Sequence, residues 1–309
     1  MSEFTRYSFI PWLRQGIANQ INETDGDDSA KVRASFDVRL KINDSETTDT
    51  VKVNLVGPGD IIGINPRAIV RTEPLDWITD FEPNYLAFAE FYDEDFPWRY
   101  TPAKGNESNH RLRPWLTLVV LKENEFEDDN AVSGPLNSFT LKSDTGADLF
   151  PVPDQLWSWA HVHVNEDLSD EDENNVNKGI DQLTNLLDSD PDKAYSRLMC
   201  PRKLEPNTAY HAFLIPTFET GRLAGLGQEV PDDMTATKSA WDGPQKQYPI
   251  YYHWFFRTAE SGDFEFLVRQ LKPRPADKRV GIRPMDVTDP GVSISGITDP
   301  SALGLEGAL

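Results

Sequence analysis

The sequence predicts an α+β fold, mainly antiparallel or mixed β-sheet with a few short helices. Three observations predict it. Apolar and polar residues alternate strictly from Val32 to Ile42, and runs of aromatic and β-branched residues of strand length recur near 112–121, 210–218 and 248–257. Helical periodicity, by contrast, appears only in brief stretches. Of 309 residues, 38% are hydrophobic and 11% aromatic, with 8 Trp, 9 Tyr and 16 Phe, enough bulky side chains to bury a sizeable core. The expected organisation is one large domain over residues 1–290, with a candidate subdivision near 124. Residues 291–309 then form an irregular C-terminal tail leading into a longer native chain.

Phe9, Leu13, Ile17 and Ile21 recur every four positions beside Trp12, an apolar stripe that predicts a short first helix with Pro11 in its first turn. From Val32, the residues Ala34, Phe36, Val38, Leu40 and Ile42 face one way and Arg33, Asp37, Arg39 and Lys41 the other, which predicts a half-solvated strand. Val51, Val53 and Leu55 repeat the period of two after a polar turn, so the two runs read as a hairpin ended at Gly57-Pro-Gly. The stretch from Phe81 to Tyr100 holds eight aromatic residues among acids and prolines without a clean period, and is expected to be irregular and anchored by its rings.

Leu116 to Leu121 is short and rich in β-branched residues, which predicts a strand buried on both faces at the centre of a sheet. Tyr210 to Phe218 and Tyr248 to Thr258 are further strands, and Pro216 is expected at an edge or bulge. A second helix follows Ser169 and runs through Val176, Ile180, Leu183 and Leu187, with Ser169 as N-cap and Asp170 to Glu173 opposing the positive end of its dipole. A shorter, glycine-interrupted helix lies near Glu219 to Gly227. Beyond Pro273 the chain is punctuated by Pro and Gly and weakly periodic.

Composition excludes several function classes. With 51 acidic against 30 basic residues the net charge is -21, which opposes binding to nucleic acid, where Lys and Arg must displace counterions. It opposes an anionic membrane surface for the same reason. The single cysteine, Cys200, permits no intramolecular disulfide and has no local activating base, so it reads as a small buried hydrophobe. The first residues lack the basic and apolar regions of a signal peptide, and no apolar run approaches the roughly 20 residues of a membrane span.

No motif carries chemistry convincingly. The acidic stretch from Glu166 to Glu173 and Asp25-Gly-Asp-Asp lack the ligand spacing of a calcium loop. His161 and His163 share one side of a strand and offer two imidazoles to zinc, with His211 or His253 as a remote third ligand, but two ligands do not make a site. Gly57-Pro-Gly-Asp-Ile-Ile-Gly has no Lys-Ser/Thr to follow it, and Gly221-Arg-Leu-Ala-Gly-Leu-Gly lacks dinucleotide-loop spacing. No Gly-x-Ser-x-Gly elbow is present. The aromatic stretch 81–100 has three readings: core, sugar-stacking platform or subunit interface.

Phe9-Ile-Pro-Trp-Leu-Arg-Gln-Gly, Gly57-Pro-Gly-Asp-Ile-Ile-Gly-Ile-Asn-Pro-Arg, Phe81-Glu-Pro-Asn-Tyr-Leu-Ala-Phe-Ala-Glu-Phe, Asp95-Phe-Pro-Trp-Arg-Tyr-Thr-Pro-Ala and Leu112-Arg-Pro-Trp-Leu occur in this order between residues 9 and 118. Together they resemble the N-terminal region of large structural proteins of phage-tail-like contractile injection systems, and more specifically a cap adaptor. The resemblance implies a non-enzymatic assembly component that joins the distal end of the sheath and inner tube to the cap. It also implies a ring of self-associated copies compatible with sixfold symmetry, contacts to sheath, tube or cap proteins, no cofactor and no metal. Assembly would be cytoplasmic, followed by an extracellular location after particle release. The expected contact anchors are Phe9, Trp12 and Leu13 in the first helix and Trp98 and Tyr100 in the aromatic stretch, with surplus acids steering the subunit to a basic surface. Two rivals remain: a carbohydrate-binding module stacking sugars on Trp98, Tyr100 or Trp241, and a metal-dependent hydrolase built on His161 and His163.

Overall fold

The computed structural model describes residues 35–42, 45–102, 112–129, 134–142, 149–165, 176–260, 268, 271–272, 282–285 and 303–306. The predicted first helix with Phe9, Trp12 and Leu13 lies outside these residues, as do Ser169 and the acidic first turn of the second helix. The chain separates into a compact unit, Met1–Ser261, and a second unit, Gly262–Leu309, so the expected boundary at 290 falls inside the second.

In chain order the strands are β1 (Ser35–Ile42), β2 (Ser45–Asn54), β3 (Ile69–Glu73), β4 (Ile78–Phe81), β5 (Phe88–Phe91), β6 (Leu116–Lys122), β7 (Phe126–Asp129) and β8 (Ser138–Leu141). They continue with β9 (Ala160–Val164), β10 (Ala194–Met199), β11 (Ala209–Pro216), β12 (Gln247–Pro249), β13 (Tyr252–Thr258), β14 (Ile282–Met285) and β15 (Leu303–Glu306). Among the described residues the α-helices are α1 (Val176–Ser189) and α2 (Glu219–Leu226). The architecture is therefore α+β and mainly β, as the patterning predicted.

The alternating runs at 35–42 and 45–54 pair as an antiparallel hairpin, with a register shift between Arg39 and Lys41. In the same unit, β3-β5-β10-β9 form an antiparallel sheet, here the outer sheet. The central sheet has the order β4-β13-β11-β6, antiparallel except for the parallel pair β4 and β13. A small sheet, β12-β8-β7, completes the set, and the second unit contains the antiparallel pair β14 and β15.

Strand periodicity divides the central sheet between two cores. Leu116, Leu118, Val120, Tyr210, Ala212, Leu214, Trp254 and Phe256, all at even positions, pack with Ala89, Phe91, Ala160 and Leu198 of the outer sheet. Val119, Leu121, Phe213 and Ile215, at odd positions, pack with Phe126, Phe139, Leu141 and Tyr248 of the small sheet. This explains why β6 is apolar throughout. It is buried on both faces, as expected, yet it stands at the end of the sheet rather than the centre. Its outer edge is partly occupied by the Arg202 guanidinium, which donates to the Val120 carbonyl at 2.8 Å and to both Glu125 oxygens. Pro216 is neither at a bulge nor on an edge strand. It is the last residue of the internal strand β11, opposite Leu116, and because Thr217 N–H makes the next bond, to the Trp115 carbonyl at 2.9 Å, Pro216 occupies a non-hydrogen-bonded position toward β6, where its missing N–H breaks no bond.

The stretch 81–100 is more regular than its composition suggested. Phe88–Phe91 is an internal strand, and Phe96–Trp98 forms a 3₁₀ turn. Its rings line the larger core: Phe91 stacks on Phe96 with centroids 4.6 Å apart, and Tyr100 meets Trp115 edge-on at 4.8 Å. Trp115 is fully buried, and its indole N–H donates to the Phe96 carbonyl at 2.7 Å. Trp98, also buried, donates to the Leu112 carbonyl at 3.1 Å.

Helix α2 is short because Gly227 takes a left-handed conformation (φ 69°) at its C-cap. Gly225 lets it sit against the small sheet, since a Cβ there would lie 2.6 Å from the Pro249 ring. Burial of this helix encloses two charges, which satisfy each other: Arg222 makes two 2.7 Å bonds to Glu219 and a third, at 3.1 Å, to the Gln247 carbonyl. Cys200 is buried, and loss of water pushes its thiol up to about 11, as a structural cysteine requires.

Candidate functional site

Two polar clusters stand out against this apolar interior. The first crosses the outer sheet. Register aligns Arg71 of β3, Glu90 of β5, Arg197 of β10 and His161 of β9 in one row on the face away from the core. Glu90 is almost wholly buried and accepts from Arg71 Nε at 2.5 Å and Arg197 Nε at 2.9 Å, and both guanidinium groups lie over the Phe88 ring. Burial works to raise the Glu90 carboxyl, but the hydrogen bonds from the two arginines outweigh it and hold the group below its usual range.

His161 and His163 do share one side of β9, with ring centroids 6.2 Å apart. Their surroundings are wrong for a zinc ion. His161 Nε2 is bonded to the Ser158 carbonyl, His163 lies flat on Tyr195 at 5.2 Å, and Arg197 bears on both rings, opposed at His163 by Glu90. Burial and that guanidinium push His163 down to about 4 and lower His161. Among the described residues no group of three or more His, Cys, Asp or Glu is placed to hold a metal.

The second cluster occupies the odd-numbered face of the central sheet where the small sheet ceases to cover it. His211 of β11 and His253 of β13 are diagonal neighbours across the antiparallel ladder, since His211 pairs with Phe255. Their rings are nearly parallel (7°), with centroids 5.0 Å apart and His211 Nδ1 only 2.7 Å from His253 Nε2, so the rings meet edge to edge nearly in plane. Burial lowers both imidazoles, and for His253 the neighbouring His211 adds to the effect. Asp128 opposes the shift at both rings, with Glu123 acting on His211 and Asp76 on His253.

Aromatic rings continue the surface. Phe255 packs against His211 at 5.1 Å and against Trp77 at 4.8 Å, and Phe126 closes on His211 at 5.1 Å. Trp77 is the unexpected member. Its side chain is 72% exposed although its backbone has φ 63°, a conformation that costs a bulky residue about 1–3 kcal/mol. The loop is held there by hydrogen bonds: Trp77 N–H donates to the Phe255 carbonyl at 2.7 Å, Phe255 N–H donates to Asp76 Oδ1 at 2.9 Å, and Ile78 N–H reaches Leu75 O at 3.2 Å. Leu75 and Tyr85 nearby are also exposed, Tyr85 with its ring edge toward Phe81. Two clefts border the histidine pair, one of about 630 Å³ on the His253 side and one of about 540 Å³ on the His211 side, and Asp128 lines both.

Of the predicted anchors, Trp98 and Tyr100 are among the described residues. Trp98 is spent on the core, where its ring is covered and its N–H is bonded, and Tyr100 packs on Trp115. Trp241 is half-buried, tilted against Phe150 with centroids 5.3 Å apart and donating to the Pro151 carbonyl. Sequence reading passed over Trp77 because nothing in Leu75-Asp-Trp-Ile signals a left-handed residue, which is usually Gly or Asn. The chain matches no protein-family model, no curated protein and no solved structure.

Proposed function

We propose that this chain is a structural assembly subunit without catalytic activity. In this reading it is an adaptor that joins the distal end of the sheath and inner tube of a contractile injection system to its cap. Sequence blocks between residues 9 and 118 support the system, through their resemblance to cap adaptors. The observation that carries an assembly role is Trp77: a large indole kept exposed, in a strained backbone, on a sheet face that continues through Phe255 to the histidine pair. A ring of this size, desolvated at the centre of a contact, is the kind of residue that dominates binding energy. Asp76, Glu123, Glu127 and Asp128 surround this face, and with a net charge of -21 they favour a basic partner surface and slow encounter at high salt. No helix among the described residues is long and apolar enough to cross a membrane.

The test is Trp77→Ala, assayed by co-expression with sheath, tube and cap proteins and by light scattering across protein concentration. Truncation should leave the melting temperature close to wild type, because the ring is mostly in water. Incorporation or self-association should weaken by about 30-fold or more, the effect of losing a contact worth about 2 kcal/mol. Assembly of the variant at wild-type affinity refutes the assignment of this face.

A further inference from the structure

We propose that the open edge of β7 takes up a strand from a basic partner protein, which continues the small sheet across the aromatic face of the central sheet toward Trp77. This inference rests on the assembly reading of that face and names the chemistry of what covers it. Its first support is the layering. Phe126 of β7 meets His211 and Phe213 of β11, each with centroids 5.1 Å apart, so β7 lies over β11. The next strand of the central sheet, β13, has no such cover among the described residues: on the same face His253 is exposed, Phe255 is half-buried, and Trp77 beside it is 72% exposed. Strands lie about 4.8 Å apart in either sheet, so one strand added beside β7 falls over β13.

The second support is the main chain of β7. Its register with β8 sets Glu127 opposite Thr140, and Lys142 N–H donates to the Glu125 carbonyl at 2.9 Å. Hydrogen-bonded pairs alternate along an antiparallel ladder, so Glu125, Glu127 and Asp129 turn their main-chain groups to β8. Phe126 and Asp128 turn theirs the other way, and those N–H and C=O groups have no partner among the described residues. Such an edge is a template for a further strand. Space for one is present: the clefts of about 540 and 630 Å³ meet at Asp128, the first lined by Phe126 and His211, the second by Phe213 and His253.

The third support is charge, which selects the partner. Glu127 and Asp128 are exposed and make neither a hydrogen bond nor an ion pair among the described residues. Side chains alternate along a strand, so Asp128 shares the Phe126 face, toward the central sheet, and Glu127 stands on the outer face. Glu123 adds another carboxylate to the smaller cleft. Lys142, in the same cleft, and Arg257 of β13 are each held by a main-chain carbonyl, of Glu123 at 3.5 Å and of Asn207 at 2.9 Å. An acidic strand is therefore repelled on both faces. The strand that fits alternates apolar residues, set down on His253, Phe255 and Trp77, with Lys or Arg beside Glu127.

The experiment offers the full chain a peptide of about eight residues alternating valine with lysine, and follows binding by calorimetry and by amide hydrogen exchange at Phe126 and Asp128. The expected result is one peptide per chain, slowed exchange at those two amides, and at least a 10-fold loss of affinity for the valine-glutamate peptide. Asp128→Pro removes an outward N–H and none that bonds β8, and it should weaken the valine-lysine peptide by at least 10-fold as well. Because exchange is read on the unaltered protein, it decides the matter even if Asp128→Pro fails to fold. No binding at 1 mM, equal binding of the acidic peptide, exchange at Phe126 and Asp128 that the peptide leaves unchanged, or wild-type affinity in a folded Asp128→Pro overturns the proposal. So does a dimer of the chain that the peptide dissociates, which gives the edge to a second copy. These outcomes concern the chain alone, whereas the assembly reading is tested by co-assembly of Trp77→Ala, so either can fail without the other.

Discussion

Glu90→Gln isolates the polar row of the outer sheet, because it keeps the side-chain volume and removes only the charge. In the native protein this carboxylate, whose side chain is 4% exposed, lies between Arg71, 50% exposed, and Arg197, 20% exposed. At an effective dielectric near 20, unit charges about 4 Å apart attract by about 4 kcal/mol, and two such attractions offset the desolvation of Glu90 and the mutual repulsion of the arginines. Losing one member of a buried ion pair costs about 3–5 kcal/mol. Here Arg71 is half in water and regains hydration at once, so the loss falls mainly on Arg197, and about 2–3 kcal/mol is the expected destabilisation once solvent screening is allowed for. Urea unfolding of wild type and variant at pH 7 measures it directly. The pH profile adds a second check. Because the folded-state carboxyl titrates below its ordinary 4.5, its contribution is complete above that value and disappears as pH falls through the lower, folded-state titration. The gap between wild type and Glu90→Gln should therefore close under acid conditions. A variant within about 0.5 kcal/mol of wild type at pH 7, or a gap that does not depend on pH below 4.5, refutes the account.

Three further outcomes follow from the same physics. Trp115→Phe leaves the Phe96 carbonyl without its 2.7 Å donor and opens space at a fully buried position, so urea unfolding should show a loss of about 2–4 kcal/mol. Stability should also decline as pH falls from about 6.5 toward 4, since the unfolded chain takes up a proton at His163 that the folded chain refuses until about 4. His163→Gln should reduce proton uptake on unfolding at pH 5 by up to one proton, measured from the pH dependence of the unfolding midpoint. Cys200, with its thiol raised to about 11, holds only roughly one thiolate per thousand molecules at pH 8, so labelling by a thiol reagent should be slow in the native protein and rapid in urea.

Periodicity was a sound guide wherever one face of a strand is wet or a whole run is dry. The β1 and β2 hairpin, β6, β11, β13 and both described helices lie where the alternation or the apolar runs put them. Short strands were illegible for a physical reason. β3, β4, β5, β7, β8 and β10 have four to six residues, too few for a period to repeat, and their identity comes from partners distant in sequence, as in the pairing of Glu90 with Arg197. The position of β6 at a sheet end was hidden for a related reason. Burial on both faces reads the same from sequence whether a strand is central or is an end strand covered by two other layers. The candidate site was half visible. His211 and His253 had been singled out only as remote ligands, and their diagonal meeting depends on the β11 and β13 register. The Asp128 contribution depends on β7, which carried no signal.

Aromatic content alone could not separate anchors that hold the fold from anchors offered to a partner. Trp98 and Trp115 answer the question through their donors: each indole N–H finds a carbonyl inside the protein, and each ring is enclosed. Trp77 answers it the other way, through its backbone. The hydrogen bonds around it go to the main chain of Phe255 and the turn itself, while the ring is left in water. Even-numbered residues of β11 and β13 are locked into the larger core, which fixes the orientation of the odd-numbered His211, His253 and Phe255 beside that ring. A partner arriving at such a surface has little side-chain motion left to freeze. Ordering of side chains is one of the main free-energy costs of association, so a surface already ordered by its own core is better suited to binding than an equally aromatic flexible loop.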